Sequence, residues 1–582
     1  MGVTTLILAA FLLQTVFGYY TLKQLSYTQL ATGSSRGSYV YGGLNLGTAT
    51  DAAYDFVNNI VYIIGEKSHY MHVVDIADPS NPKVLFIHEF TKGEGVPRSI
   101  DICGDEIAVA LAAQTDINEG HVRYYHTYTK NSGATDMTLD GYVTVGPHPN
   151  HLKFTDDCGT VIVANEGIAG KDEAGKYMDP EGSITIIHGE KTGNPSVRLV
   201  DFSAFNTGQP NYNQNLRTPS LYIPSSMVSP MTTVAQDVEP EYVTISSDGR
   251  TAYVTLQENN AIAQVNVNNG VVDRVSPLPY KFWNTHGIDV SDRDGGNGTS
   301  GVHRRTFSGL QSLRQPGVIK SLELNRKKYL FTADTGAVKS FTSSKHGFSW
   351  TDMATARSLS KSIDTTLTDL VANANNDEML GRLQVSTVDG KNMFSQKFQH
   401  LEAFGGRGFS IWDASYLNAP IYDSDGALEE YMEAYDKSVF NTDYISNLYY
   451  QSPEQHRDAV SYRQGAQVTG LDVAEDNGTI FLVAGTWSTG TLFVYTVDVS
   501  SGQPVPQFNS VVRSGAKDYP WRDLYQNLTL GTVGDLYISD LGIIPSEHSP
   551  TDSPLLYVIS TGAGALSVYS IEKQTTTIPG SI

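Results

Sequence analysis

Residues 239–267 read EPEYVTISSDGRTAYVTLQENNAIAQVNV. Tyr242, Thr244 and Ser246 alternate with Val243 and Ile245, and Tyr253 opposes Ala252 and Val254, the period of two expected of a half-buried strand. Ser247-Asp248-Gly249 supplies a tight turn in which glycine takes the positive φ, so the stretch reads strand, turn, strand, second turn, strand. The same order recurs at 96–111 (VPRSIDICGDEIAVAL), 148–167 (HPNHLKFTDDCGTVIVANEG) and 467–498 (QVTGLDVAEDNGTIFLVAGTWSTGTLFVYTVD), with turns at Asp157-Cys158-Gly159 and Asp476-Asn477-Gly478. Weaker copies occupy 52–79, 315–341 and 536–572.

A series of hairpins that bury their faces only against their neighbours predicts an all-β chain folded as a β-propeller, with one blade per copy and seven blades in all. A two-sheet sandwich is the alternative, but strand groups at long regular spacing suit blades better. The segment 21–30 (TLKQLSYTQL) precedes the first copy and reads as a spare strand able to complete the last blade and latch the ring. One insertion, at about 342–400, breaks the pattern. Leu359, Ile363, Leu367 and Leu370 recur there at helical spacing with Asp352 as a cap, which predicts one or two helices, and a shorter helix is expected over 427–435. Residues 19–582 then form one propeller domain carrying a helical insertion.

The 582 residues include 62 acidic and 40 basic side chains, a net charge of −22 that argues against nucleic-acid binding. Hydrophobic residues make up 40% and charged ones 18%, which excludes disorder, collagen and a multi-pass membrane protein. The apolar run within MGVTTLILAAFLLQTVFG is too short to span a bilayer and reads as a secretory signal over residues 1–18, cut between Gly18 and Tyr19. The tail SIEKQTTTIPGSI has no hydrophobic segment, so neither a membrane stop nor a GPI signal is expected. Export to the extracellular space fits N-glycosylation triplets at Asn297, Asn477 and Asn527. Cys103 and Cys158, the only cysteines, are then expected to pair. They lack the CxxC or HxxxH spacing of a zinc site.

Two acidic groups are candidate cation ligands. Asp289, Ser291, Asp292, Asp294 and Asn297 place oxygens at alternate positions among glycines, as a loop wrapped round Ca²⁺ requires, although the closing bidentate glutamate of an EF-hand is missing. Glu166, Asp172, Glu173, Asp179, Glu181, Glu239 and Glu241 follow strands or precede blades, so a propeller would bring their loops to one face. Each group has a plainer alternative, a solvated Asp/Gly turn for the first and an exposed acidic loop for the second. There is no GxSxG elbow and no P-loop. Arg407 and Lys320 are the obvious cations for a phosphate, and two scattered cations make a weak phosphate site. Gly405-Gly406-Arg407-Gly408 reads as a tight bend beside a buried Trp412.

VIVANEG with DPEGSITII, EPEYVTISSDGRTAYVTLQENNAIA, GIDVSDRDGG, MLGRLQV and FGGRGFSIWDASY occur in an order that resembles the choice-of-anchor I family, whose animal members include mesenchyme-specific cell-surface glycoproteins of mineral-forming cells. The resemblance runs from about residue 42 to 572 and implies a secreted or surface-anchored propeller of the organic matrix of skeletons and shells. Several family motifs are altered here: Ala333-Asp334-Thr335-Gly336 stands for an NEG, Gln467-Val468-Thr469-Gly470 for an EPEG, and Leu541-Gly542 lacks the APEG glutamate. Thr387-Val388-Asp389-Gly390 replaces an Asp-rich loop. A shared acidic site so eroded favours a matrix component that binds calcium ions, calcium mineral and other matrix molecules without being an enzyme. The alternative is a calcium-dependent phosphoesterase, phytase-like or alkaline-phosphatase-like, on a propeller.

Overall fold

The computed structural model describes residues 15–578 except 36–37, 42, 131, 173, 175, 190–194, 224–231, 344–347 and 445–449. Most of the expected signal segment, and Glu173, lie outside these described residues. The repeats form seven four-stranded antiparallel sheets. Their innermost strands are Asp51–Asp55, Val96–Cys103, Pro149–Phe154, Pro240–Ile245, Ile319–Leu324, Val468–Asp476 and Ile538–Ile544. Each lies beside the next and the last lies beside the first, so the sheets are the blades of a closed β-propeller. The blades are numbered 1 to 7 in that order.

Packing between two neighbouring sheets buries both faces of a central strand. Ile60–Gly65 of blade 1 is buried at every position, and Thr251–Leu256 of blade 4 at all but its first. The half-buried alternation expected from the sequence is therefore lost in these strands, because the polar face of a hairpin meets a second blade instead of water. Aspartates on inner strands fasten blade to blade. Asp51 accepts the backbone N–H of Ile100 (2.9 Å), Asp101 that of Phe154 (2.8 Å) and Asp472 that of Ile543 (2.8 Å).

The strand Thr15–Gln29 pairs antiparallel with Ala565–Ile578 and completes blade 7, the latch expected of 21–30. Cys103 and Cys158 form a disulfide with Cα atoms 5.5 Å apart. Blades fan apart at the rim, but these two residues flank the turns between innermost and second strands of blades 2 and 3, where neighbouring blades are close. Gly249 and Gly478 have φ of +67° and +79°, whereas in the Asp157 turn it is Cys158, not Gly159, that takes the positive φ, at 58°.

Blade 5 departs from the simple hairpin series. After its second strand, Lys327–Asp334, the chain leaves the blade and returns as Gly408–Asp413, so FGGRGFSIWDASY, not residues 335–341, provides the third strand. The excursion is not purely helical. Lys281–Phe282, Leu310–Leu313, Leu401–Phe404, Gln384–Ser386 and Met353–Thr355 make a five-stranded sheet, within which Leu310–Leu313 and Leu401–Phe404 run parallel. Among the described residues the insertion is helical at Ala356–Leu359, continued by a 3-10 turn at Ser360–Ser362, and at Thr368–Ala374. Ile363 is extended between them, and Thr355 rather than Asp352 precedes the first. Ile363 and Leu370 still reach the core formed with Trp283, Leu310 and Leu401. The second helix spans Ala427–Asp436 as expected.

Candidate functional site

At one end of blades 3 and 4 the acidic loops come together. Glu166 follows the strand Thr160–Asn165, and the turn there is closed by Glu166 N–H to His148 O (2.9 Å) and Gly167 N–H to Pro147 O (3.1 Å). Glu239 and Glu241 flank Pro240 where the inner strand of blade 4 begins, and Glu258 lies in the turn after Thr251–Leu256. Burial holds Glu166 well above the usual carboxylate range, reinforced by the charges of Glu241, Glu239 and Glu258. Burial likewise raises Glu239, against the opposing pull of Lys339 Nζ 2.8 Å away. Glu241 is pushed up to about 8 by burial and by Glu258. It accepts a hydrogen bond from Asn150 Nδ2, and Asn150 is held in turn by Arg98 (2.7 Å). The inner oxygen of Glu258, Oε2, is buried without a hydrogen-bond partner.

Asp179 joins this group from the side: burial lifts it to about 7, Lys339 opposes that rise, and Thr232 Oγ1 donates to it at 3.3 Å. Asp179, Glu239 and Glu258 thus share the field of Lys339, while Glu166 and Glu241, repelled by the same glutamates, feel Arg98 instead. Glu181 is exposed and its carboxylate lies apart, raised by partial burial and Asp201. Asp172 closes its own turn by accepting Lys176 N–H at 2.7 Å.

The 289–297 loop is divided. Asp289 and Asp294 are buried and meet Asp458, each offering one carboxylate oxygen within 4.8 Å of the others. Burial raises Asp289 to about 7, helped by the charges of Asp294 and Glu429, and raises Asp458 to about 9, helped by Asp289. Asp292 turns to Arg382, which holds it in a two-pronged ion pair at 2.6 and 3.1 Å. Asn297 is exposed, as are Asn477 and Asn527, so all three glycosylation triplets are sterically accessible.

Elsewhere two pairs of carboxylates each share an arginine. Arg217 bridges Asp352 (2.5 Å) and Asp389 (2.8 Å), and Arg314 bridges Asp334 (3.1 Å) and Asp423 (2.6 Å). The altered motifs at Asp334 and Asp389 are therefore ion-pair partners here. Arg407 is buried and donates to Glu429 (2.7 Å) and to the carbonyls of Asp289, Ser461 and Arg463, while the cation over the buried Trp412 ring is Arg314, 5.4 Å from its centroid. Lys320 pairs with Asp472 at 3.3 Å beside a central cavity of 350 Å³. Neither Arg407 nor Lys320 is free for a phosphate. Asp458 and Glu258 were not identifiable from sequence, since Asp458 sits in no repeat and meets Asp289 across 169 residues, and Glu258 occupies an ordinary hairpin turn.

Among known proteins, the chain is 32% identical over 171 residues to the mesenchyme-specific cell surface glycoprotein of Strongylocentrotus purpuratus, covering 29% of this chain and only 21% of that one. It is 26% identical over 205 residues to Gigasin-3a of Magallana gigas, covering 35% of this chain and 68% of that one. Among solved structures, the WD40 domain of Toxoplasma gondii coronin superposes with a TM-score of 0.42 at 11% identity, covering 96% of this chain and 86% of that one. Among the described residues no helix is long and apolar enough to cross a membrane. The choice-of-anchor I domain matches residues 50–500, most of the ring and its insertion, and the chain belongs to that family.

Proposed function

We propose that the protein works outside the cell as an acidic glycoprotein of an extracellular skeletal or shell matrix, holding Ca²⁺ or a calcium mineral surface through carboxylates, and that it is not an enzyme. The observation that carries this reading is the gathering of Glu166, Asp179, Glu239, Glu241 and Glu258 at one end of blades 3 and 4, where burial and mutual charge outweigh the opposing pull of Lys339 and Arg98. So many crowded carboxylates ionise together only when cations neutralise them, and hard oxygen ligands suit Ca²⁺. Extracellular placement is supported by the signal-like leader, three exposed glycosylation triplets, one disulfide and the similarity to a cell surface glycoprotein. The two cations singled out for a catalytic reading, Arg407 and Lys320, are each paired with a carboxylate.

Calcium calorimetry on the secreted protein tests the proposal. Several weak sites are expected, at about 10⁻⁴–10⁻³ M as in extracellular modules with loose coordination. The paired change Glu239→Gln and Glu241→Gln should reduce their number. Ca²⁺-dependent release of phosphate from phytate or a simple ester, lost in Glu239→Gln, would instead establish the phosphoesterase alternative.

A further inference from the structure

Asp289 and Asp294 belong to the segment joining Lys281–Phe282 to Leu310–Leu313 of the inserted sheet. Asp458 comes from the connection that leads into blade 6, just after the turn of helix Pro453–His456. Their fractional exposures are 0%, 6% and 0%, so solvent does little to neutralise them. Asp289 accepts N–H groups from Ser291 (3.2 Å) and His303 (2.8 Å). Oδ2 of Asp294 faces Arg305 (3.2 Å) and His303 (3.1 Å), and Oδ1 of Asp458 accepts the Ser461 hydroxyl. The remaining oxygens, Asp294 Oδ1 and Asp458 Oδ2, are buried with no hydrogen-bond partner. Among the described residues Asp458 forms no ion pair with Lys, Arg or His.

A buried, unpartnered carboxylate oxygen keeps the full cost of its lost hydration if nothing fills the gap. Arginine bridges both members of the pairs Asp352/Asp389 and Asp334/Asp423, whereas among the described residues the one guanidinium on this trio, Arg305, pairs with Asp294 alone. The surroundings are held rigidly. Arg407 ties the carbonyls of Asp289 and Ser461, and Asn441 Nδ2 donates to Ser461 Oγ (2.9 Å), which in turn orients Asp458. Glu429 accepts Asp289 N–H at 2.8 Å. Such outer contacts fix ligand orientation in metal sites.

We propose that Asp289, Asp294 and Asp458 form a buried site for one divalent cation, Ca²⁺, that fastens the inserted sheet to the connection entering blade 6. Three carboxylate oxygens within 4.8 Å of one another suit a hard cation with oxygen ligands, and Ca²⁺ accepts the irregular coordination that Mg²⁺, with its near-ideal octahedron, tolerates poorly. Water and main-chain oxygens complete the shell. The site is internal and does not depend on the matrix reading or on the cluster round Lys339.

Equilibrium dialysis of the full-length secreted protein after treatment with chelator, with Ca²⁺ as the probe, tests it together with thermal unfolding. One ion per chain is expected, bound at least about tenfold more tightly than the weak set, and Tm should rise with Ca²⁺. Asp458→Asn and, as a second variant, Asp294→Asn should each weaken that ion about 100-fold and remove the Ca²⁺-dependent rise. In chelator Asp458→Asn should be at least as stable as the parent, since it takes one charge out of a crowded trio. Retention of the tight ion in both variants, or absence of any tight ion in the parent, overturns the site. Loss of that ion in the Glu239→Gln, Glu241→Gln protein would assign it to the Lys339 cluster and also overturn it, whereas loss of the weak ions alone bears only on the matrix reading. Displacement by equimolar Mg²⁺ overturns the choice of Ca²⁺.

Discussion

His72 lies on Tyr70–Asp75, the third strand of blade 1, with no exposed surface, and its Nε2–H donates to the carbonyl of Ala31 at 2.8 Å. Burial disfavours the imidazolium and lowers the side chain from 6.5 to about 4. A histidine depressed in this way takes its proton first in the unfolded chain. Its contribution to stability is therefore complete above about pH 6.5, falls as the pH drops toward 4, and levels below that. A gap of about 2.5 pH units at 1.36 kcal/mol each makes the loss about 3 kcal/mol. His72→Gln keeps a donor for Ala31 and removes the titration. Urea unfolding of both proteins between about pH 7.5 and about pH 4 should show the variant gaining on the parent by about 3 kcal/mol over that range, whatever the fixed packing difference at neutral pH. A difference that stays constant with pH would refute the reasoning, because it would mean that His72 takes up its proton as easily in the folded ring as in the unfolded chain.

Two further outcomes follow from the packing. Replacing both Cys103 and Cys158 by serine opens a 55-residue loop, and the chain-entropy account then gives a loss of roughly 4 kcal/mol, read as a lower denaturant midpoint that matches the reduced parent. Arg217→Met strands the buried carboxylates of Asp352 and Asp389 and should cost about 3–5 kcal/mol, seen as earlier proteolysis in the insertion. Adding Asp352→Asn and Asp389→Asn to Arg217→Met should restore most of the loss, because the charges left unpaired are then gone.

The blades were legible because each hairpin is a local object: alternating strands and turns such as Ser247-Asp248-Gly249 lie within about thirty residues. The latch was legible as a strand without a partner in its own repeat. Side-chain periodicity in 359–370 found the right buried residues, Ile363 and Leu370, but not the break at Ile363, since a tertiary core can bury an extended residue as well as a helical one. The five-stranded sheet escaped detection because its strands come from five separated segments of two to four residues, and one pair is parallel. The same reason hid Asp458. Its neighbours in sequence carry no pattern, and its relation to Asp289 exists only once blade 5 has been interrupted and the chain has returned.

The pairing of Thr15–Gln29 with Ala565–Ile578 has a consequence for biogenesis. Gln24 reaches Ser567 across 543 positions, so Thr15–Gln29 must wait until the other six blades have been made before it finds its partner. The equilibrium cost of so long a closure is modest, since each doubling of a loop adds only about 0.6 kcal/mol. The delay is kinetic. During it Thr15–Gln29 is unpaired, open to the Ala565–Ile578 edge of any neighbouring chain that has just been completed. Two chains that trade first strands would each complete a ring with the other's residues and emerge as an interlinked pair. The local concentration of nascent chains, more than the strength of any finished contact, then decides whether single rings or linked ones emerge.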